Sequence, residues 1–181
     1  MIGFDPIAGP EPRVLILGTG PSEQSLREGR YYANPRNDFW SIMERLFAGG
    51  RPLEYAARVE MLKDAGVALW DVLAQAERAG SLDANIRAPV ANDLAGFLQT
   101  HPTIVTVFFN GATAERLFQA HCASALAGRD VRLVRLPSTS PANASISSAL
   151  KLAAWQAVRD AAGEGHAPPS DAVSAPRPLP D

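Results

Sequence analysis

Cysteine is nearly absent: the 181 residues hold one, Cys122. A lone thiol excludes an internal disulfide, an iron–sulfur cluster and a thiolate zinc site within the chain. It reads as a small buried helix residue. Histidine is scarce too, and His101, His121 and His166 stand at no ligand spacing from one another. No metal and no other cofactor is therefore expected, and the setting is expected to be reducing and cytoplasmic. Long apolar runs are missing: none approaches the roughly 20 residues of a membrane helix, so no membrane contact is expected. Met1–Pro12 has neither a basic n-region nor an apolar h-region and is not expected to be a secretory signal. Excess positive charge is missing as well. The net charge is −2, and from Gly163 onward Glu164, Asp171 and Asp181 stand against Arg177, which leaves the rest of the chain neutral. A neutral body argues against a nonspecific coat for nucleic acid. It is compatible with an enzyme that grips a few phosphates locally.

The length fits one domain that can bury a real core. Residues 163–181 carry Pro168, Pro169, Pro176, Pro178 and Pro180 with almost no large apolar side chain, which predicts a disordered tail behind a domain of residues 1–162. Four short apolar runs predict buried parallel strands: Val14–Leu17, Val67–Trp70, Ile104–Phe109 and Val131–Leu136. Helical patterns lie between them, at Phe39–Phe47, Glu54–Asp64, Asn92–Gln99, Ala112–Ala127 and Ile146–Ala162, with Ser81–Ile86 read as loop. Alternating strands and helices make the fold α/β with a four-stranded parallel sheet. Ligands of such sheets bind beyond the carboxyl ends of the strands. Those ends are Gly18–Ser22, Asp71, Asn110-Gly111 and Pro137–Asn143.

At the first strand end, Gly18-Thr19-Gly20-Pro21-Ser22-Glu23 turns sharply, and its glycines let backbone approach a ligand. A dinucleotide fingerprint needs a third glycine and an immediate helix, whereas Glu23 and Pro21 stand here. Tyr31-Tyr32-Ala33-Asn34-Pro35-Arg36-Asn37-Asp38-Phe39-Trp40 follows. Planar aromatics beside amides suit a flipped nucleobase, with Arg30 and Arg36 placed for phosphates or simply solvated. Asn34-Pro35 reads as the N-cap and N1 pair of the next helix, which leaves Asn37 less needed as a cap. Asp71 ends the second strand with an acceptor-only carboxylate. It is either a ligand contact, or a cap or ion-pair residue with Arg78 or Arg87 in reach. Asn110 caps a helix first and lines the pocket second. Leu136-Pro137-Ser138-Thr139-Ser140-Pro141-Ala142-Asn143-Ala144 offers hydroxyls and backbone N–H groups. Asn143-Ala144-Ser145 fits a glycosylation sequon that no signal peptide supports.

Over roughly residues 11–162 the chain resembles the uracil-DNA glycosylase superfamily, and within it the hypoxanthine (deoxyinosine) DNA glycosylase branch. The resemblance rests on the Tyr31–Trp40 loop and Leu136–Ala144, with Ala68–Leu73 in support. It implies a three-layer αβα fold and a monofunctional enzyme acting on double-stranded DNA with a damaged or mismatched base. Such an enzyme flips out a deaminated base, preferentially hypoxanthine, and hydrolyses its N-glycosidic bond to leave an abasic site. The resemblance makes Asn37 catalytic, as holder of water or stabiliser of charge. Tyr32 stacks on the base, Asp71 reads its edge, and Gly18, Gly20 and Asn110 complete the base site. Ser22, Arg36, Ser138, Thr139, Ser140 and Asn143 contact DNA. Asn143 alternatively caps the last helix. Two departures stand out: Gly20 where many members have Asp or Asn, and Leu136 where the uracil-specific members have histidine. Asn34 also replaces a more usual histidine. No lysine lies in either motif, so no Schiff-base lyase step is expected. The alternatives are uracil or mixed-base excision, a catalytically weak DNA-binding module, and, more distantly, a small-molecule nucleotide hydrolase. Nothing in the chain demands more than a monomer.

Overall fold

The structure, a computed structural model, describes residues 1–163. The segment read as a disordered tail lies, after Gly163, outside the described residues. Four strands form the central sheet: β1 (Val14–Gly18), β2 (Val67–Asp71), β5 (Thr106–Asn110) and β6 (Arg132–Leu136). Their order is β2-β1-β5-β6 and every pair is parallel. The chain winds from β1 to β2, then crosses back over β1 to place β5 on its other side. That reversal opens a crevice at the carboxyl end of β1.

Side chains alternate across the sheet and build two cores. Val14, Ile16, Val67, Leu69 and Phe108 face one way, against α2 (Phe39–Phe47), α3 (Tyr55–Asp64) and α6 (Ser148–Gly163). Leu15, Leu17, Ala68, Val107 and Phe109 face the other, against α4 (Leu94–Thr100) and α5 (Ala112–His121). The result is the expected αβα sandwich. Trp155 of α6 is fully buried and its Nε1 donates to the Pro137 carbonyl at 2.9 Å, so core packing also sets the start of the loop after β6. Burial of one such large side chain is worth about 1.5–3 kcal/mol. Among the described residues no helix is long and apolar enough to cross a membrane.

Several boundaries differ from expectation. A short helix, α1 (Glu23–Glu28), follows the first turn and is capped by Ser22, whose Oγ accepts from Ser25 N at 3.1 Å. An antiparallel hairpin of β3 (Leu73–Arg78) and β4 (Ile86–Ala91) replaces what read as featureless chain, and Asp83–Asn85 forms a 3-10 turn inside the expected loop. The Ala112–Ala127 pattern breaks at His121, so Cys122 caps α5 rather than lying within it, though it is buried as expected. Asn34 does not cap α2: its Oδ1 accepts from Arg36 N at 2.9 Å in a local turn, and the N-cap position is Asp38. The last helix starts two residues late because Ser147 caps it, its Oγ accepting from Leu150 N at 3.2 Å.

Candidate active site

The four carboxyl ends converge on one open cleft of about 680 Å³. Its floor is set by β1 and β2 in register, which puts Gly18 beside Asp71. A Cβ on Gly18 would lie 2.5 Å from Asp71 Oδ1 and 2.7 Å from Tyr32 Oη. No side chain fits there, which is the close approach that the glycine was expected to permit. A Cβ on Gly20 would meet the Met1 thioether at 2.8 Å. The wall at Gly20 is therefore apolar, where many superfamily members carry a carboxylate or amide.

Asp71 is 3% exposed, and its Oδ2 has no hydrogen-bond partner among the described residues. The ion-pair alternative fails: Arg78 stands instead 3.8 Å from Asp83. The capping alternative fails as well, since the chain continues into β3 rather than a helix. Burial pushes the Asp71 carboxyl up to about 7, the charge of Arg78 opposes the rise, and Asp83 adds to it. A buried acceptor without a donor is costly, so this oxygen is open to a donor from outside the chain.

Tyr32 holds its backbone at φ 52°, in the left-handed region that a non-glycine residue rarely adopts. Such strain costs about 1–3 kcal/mol and persists where surroundings over-determine it. Here the surroundings do. Tyr55 Oη accepts from Tyr31 N at 3.1 Å, Ser25 Oγ accepts from Ala33 N at 3.1 Å, and the Tyr32 ring stacks on Phe39 at 4.1 Å. One face of the ring is therefore occupied by protein. Burial, then the charge of Asp71, hold the Tyr32 phenol well above its ordinary value, so it stays neutral. Tyr31 is the inward partner: it is buried, and its Oη donates to the Asp5 carbonyl at 2.7 Å.

Asn37 lines the cleft and also does cap-like duty, its Oδ1 accepting from Phe39 N at 3.0 Å. This corrects the expectation that Asn34 would relieve it of that role. The bond fixes the amide plane, and Nδ2 keeps no protein partner among the described residues. The fixed amide can thus present a donor to the cleft.

Asn110 is not a helix cap; Gly111 holds that position with φ 95°. Its Nδ2 donates to Tyr32 Oη at 3.1 Å and to Thr139 Oγ1 at 2.9 Å, and its Oδ1 accepts from Thr139 N at 3.0 Å. It lines the cleft, but its amide is committed to holding Tyr32 and the loop after β6 together. Thr139 lines the cleft but is wholly buried in that clip, where its N–H is given to Asn110 Oδ1 and its hydroxyl accepts from the same amide. Ser138 and Ser140 line the cleft, each with its Oγ accepting from a backbone N–H two residues on. Asn143 caps no helix; its Nδ2 donates to the Ser138 carbonyl at 3.1 Å and braces the loop. Ser22 lines the cleft as the cap of α1. Arg36 is exposed and does not line the cleft.

Sequence reasoning missed the β3–β4 tip. Arg78, Leu82 and Asp83 line the cleft opposite the Tyr32 loop. The tip is bolted to the first turn: Arg78 donates to the Pro21 carbonyl, Thr19 Oγ1 donates to Asp83 Oδ2 at 3.4 Å, and Glu23 N donates to Ser81 Oγ at 3.0 Å. The signal was the alternation Gln75 out, Ala76 in, Glu77 out before Gly80, weak because the inward residue is only alanine.

The sequence matches the description "Uracil DNA glycosylase superfamily" over residues 6–159. A hypoxanthine DNA glycosylase of Methanosarcina acetivorans is 32% identical over 157 residues, covering 86% of this chain and 96% of that protein. A second, of Methanosarcina barkeri, is 33% identical over 110 residues, 60% of this chain and 70% of that protein. A solution NMR structure of a Methanosarcina acetivorans protein, provisionally described as a uracil DNA glycosylase, superposes with a TM-score of 0.76 at 30% identity. It covers 90% of this chain and 98% of that one. With the family match over residues 6–159 and a relative 32% identical over 157 residues, this chain belongs to the uracil DNA glycosylase superfamily.

Proposed function

We propose that this protein removes hypoxanthine from double-stranded DNA. As a superfamily member it is a DNA glycosylase, hydrolysing an N-glycosidic bond to leave an abasic site. The observation that carries the choice of base is the unpartnered Asp71 carboxylate on the cleft floor. When ionised it offers acceptors only. Hypoxanthine answers with N1–H flanked on one side by C2–H, so nothing on that flank repels a second carboxylate oxygen. Uracil and xanthine present their corresponding N–H between two carbonyls, and a carboxylate there meets lone pairs. The names of the two Methanosarcina relatives support the same choice.

In this reading the base leaves the stack, at a cost that is smallest where pairing is already poor. It enters between the Tyr32 loop and the β3–β4 tip, and the free face of Tyr32 stacks on it. Asn37 is the catalytic residue. An amide is no base near neutral pH, so its Nδ2 stabilises the departing base or orients water rather than deprotonating it. Ser138 and Ser140, with Asn143 bracing their loop, hold the DNA backbone from the far side. The protein is proposed to act as a monomer in a reducing cytoplasm, a setting in which a free thiol such as Cys122 stays reduced.

The test is single-turnover cleavage of labelled duplexes carrying one hypoxanthine, uracil or xanthine, developed with alkali. Fast cutting at hypoxanthine with little at the others is the expected result. Asn37→Ala is expected to abolish nearly all excision while duplex binding stays largely intact. Equal cutting at uracil removes the assignment of base, and near-normal excision by Asn37→Ala removes the assignment of catalytic residue.

A further inference from the structure

Lys151 is a lysine that neither the motifs nor the cleft accounts for. It lies on α6, is 2% exposed, and does not line the cleft. Lysine is almost never fully buried unless paired, and a buried ion pair is a poor source of stability against an apolar residue of the same size. Packing of α6 on the sheet thus gives no reason for a charge there, but its partners do. Nζ donates to Asp38 Oδ2 at 3.2 Å and to the Ser140 carbonyl at 3.4 Å. Asp38 follows Asn37 directly, and Ser140 belongs to the loop after β6. Two more bonds close the junction: Ser148 Oγ donates to Asp38 Oδ1 at 3.2 Å, and Asp38 N donates to the Thr139 carbonyl at 3.0 Å.

We propose that Lys151 is a positioning residue for excision, its ammonium locking the Asn37–Asp38 segment to the Ser138–Ser140 loop. The proposal rests on the roles given above to Asn37 and to that loop. The two segments lie about a hundred residues apart in sequence. One must present an amide to the base and the other must grip the backbone, so their separation decides whether the flipped nucleotide meets both. The Asp38 N–H bond to the Thr139 carbonyl joins the two backbones, and a cation bonded to a side chain of one and a backbone oxygen of the other adds the second tie that holds their separation. The Asn110 clip fixes Thr139 to Tyr32, and the Thr139 carbonyl carries it on to the 37–38 peptide through the Asp38 N–H; the ammonium braces that junction from the α6 side. Lys151 itself cannot be a nucleophile in this arrangement, because it faces Asp38 and not the cleft.

The experiment compares the wild type with Lys151→Met, Asp38→Asn, the double variant and Lys151→Arg. It runs at a temperature where circular dichroism shows each to be fully folded. Two quantities are read: the single-turnover excision rate at saturating enzyme, and affinity for a duplex bearing an uncleavable hypoxanthine nucleoside. Misplacement of a catalytic group by about 1 Å costs up to about a hundred-fold in rate, so each single variant is expected to lose about ten-fold or more. Affinity is expected to stay within about three-fold, since the Asn110 clip still holds the loop that grips the DNA backbone. The double variant is expected to be no slower than the slower single, because both changes break one junction. Lys151→Arg, which keeps the charge, is expected to recover part of the rate. A folded Lys151→Met or Asp38→Asn enzyme with the wild-type rate overturns the proposal, and so does a rate loss matched by lost affinity. Should Lys151→Met fail to fold, the near-isosteric Asp38→Asn decides alone. Normal excision by Asn37→Ala would remove the catalytic assignment and this proposal with it; an inactive Asn37→Ala beside normal junction variants would remove this proposal only.

Discussion

Asp71 ties acidity to both fold and function. Its folded pKa is raised, to about 7, above that of an unfolded carboxyl near 4. The folded protein therefore holds more protons between those values, and stability falls as pH rises across that window. The contribution is fully present below about pH 4 and lost by the time pH has passed about 7. On the proposed role of Asp71 excision runs the other way, because the ionised form offers N1–H acceptors only. Single-turnover rates on hypoxanthine are expected to climb through about pH 7 while urea midpoints decline over pH 4–7. Asp71→Asn is expected to flatten both profiles. Its amide, with one donor and one acceptor, also pairs with the N3–H and O4 of uracil, so relative activity on uracil should rise. A pH profile unchanged by Asp71→Asn would show that another group sets the limb.

Strands β1, β2 and β5 were legible because each is a largely apolar run covered on both faces, a pattern that survives without context; β6, expected to be buried, is an edge strand with Arg132, Leu133 and Arg135 exposed. The helix starts were less so. Asn34-Pro35 has the chemistry of an N-cap pair, yet Asp38 takes the position because the buried Phe39 and Trp40 fix where the α2 helix can begin. Tertiary anchoring overruled a local preference there. At the other end of the domain, Ser147 caps α6, which starts at Ser148 rather than Ile146. Its Oγ satisfies one orphan N–H, so Ser147→Ala is expected to cost about 1 kcal/mol in a urea titration and to leave excision nearly unchanged. The β3–β4 hairpin stayed hidden because its inward positions are small and its tip is held by long-range bonds to the first turn, which no local pattern encodes. Within the site, the Gly18 and Asp71 positions were readable as strand ends, whereas Tyr32 and Asn37 were singled out by the family resemblance. The commitments of Asn110 and Thr139 to each other were not, since a side chain's partner is a property of the fold.

At the scale of the whole molecule, the neutral body limits how DNA can be held. Among the described residues cations near the cleft are few: Arg78 and Arg135 line it, but Arg78 is engaged with Asp83 and the Pro21 carbonyl and Arg135 with Glu115 at 3.3 Å, while Arg30 and Arg36 stand exposed on the Tyr32 loop. Each phosphate neutralised contributes about −0.9 to the slope of log K against log salt. With about three such contacts the slope for duplex binding is expected near −3. A slope of about −10, as a broad basic surface would give, would contradict a grip confined to the cleft rim.

The empty space beside Gly18 has a consequence for how such a protein can diverge. A side chain at that position would collide at once with the carboxylate on the floor and the phenol above it. Positions 18, 32 and 71 thus form one heritable unit. Asp71 can drift to its amide, which occupies the same volume, and Gly18 survives that change. Replacement of Gly18 itself demands simultaneous change at two distant positions, a step that single mutations do not reach. Descendants of this chain are expected to explore new bases through residue 71 long before they alter the glycine behind it.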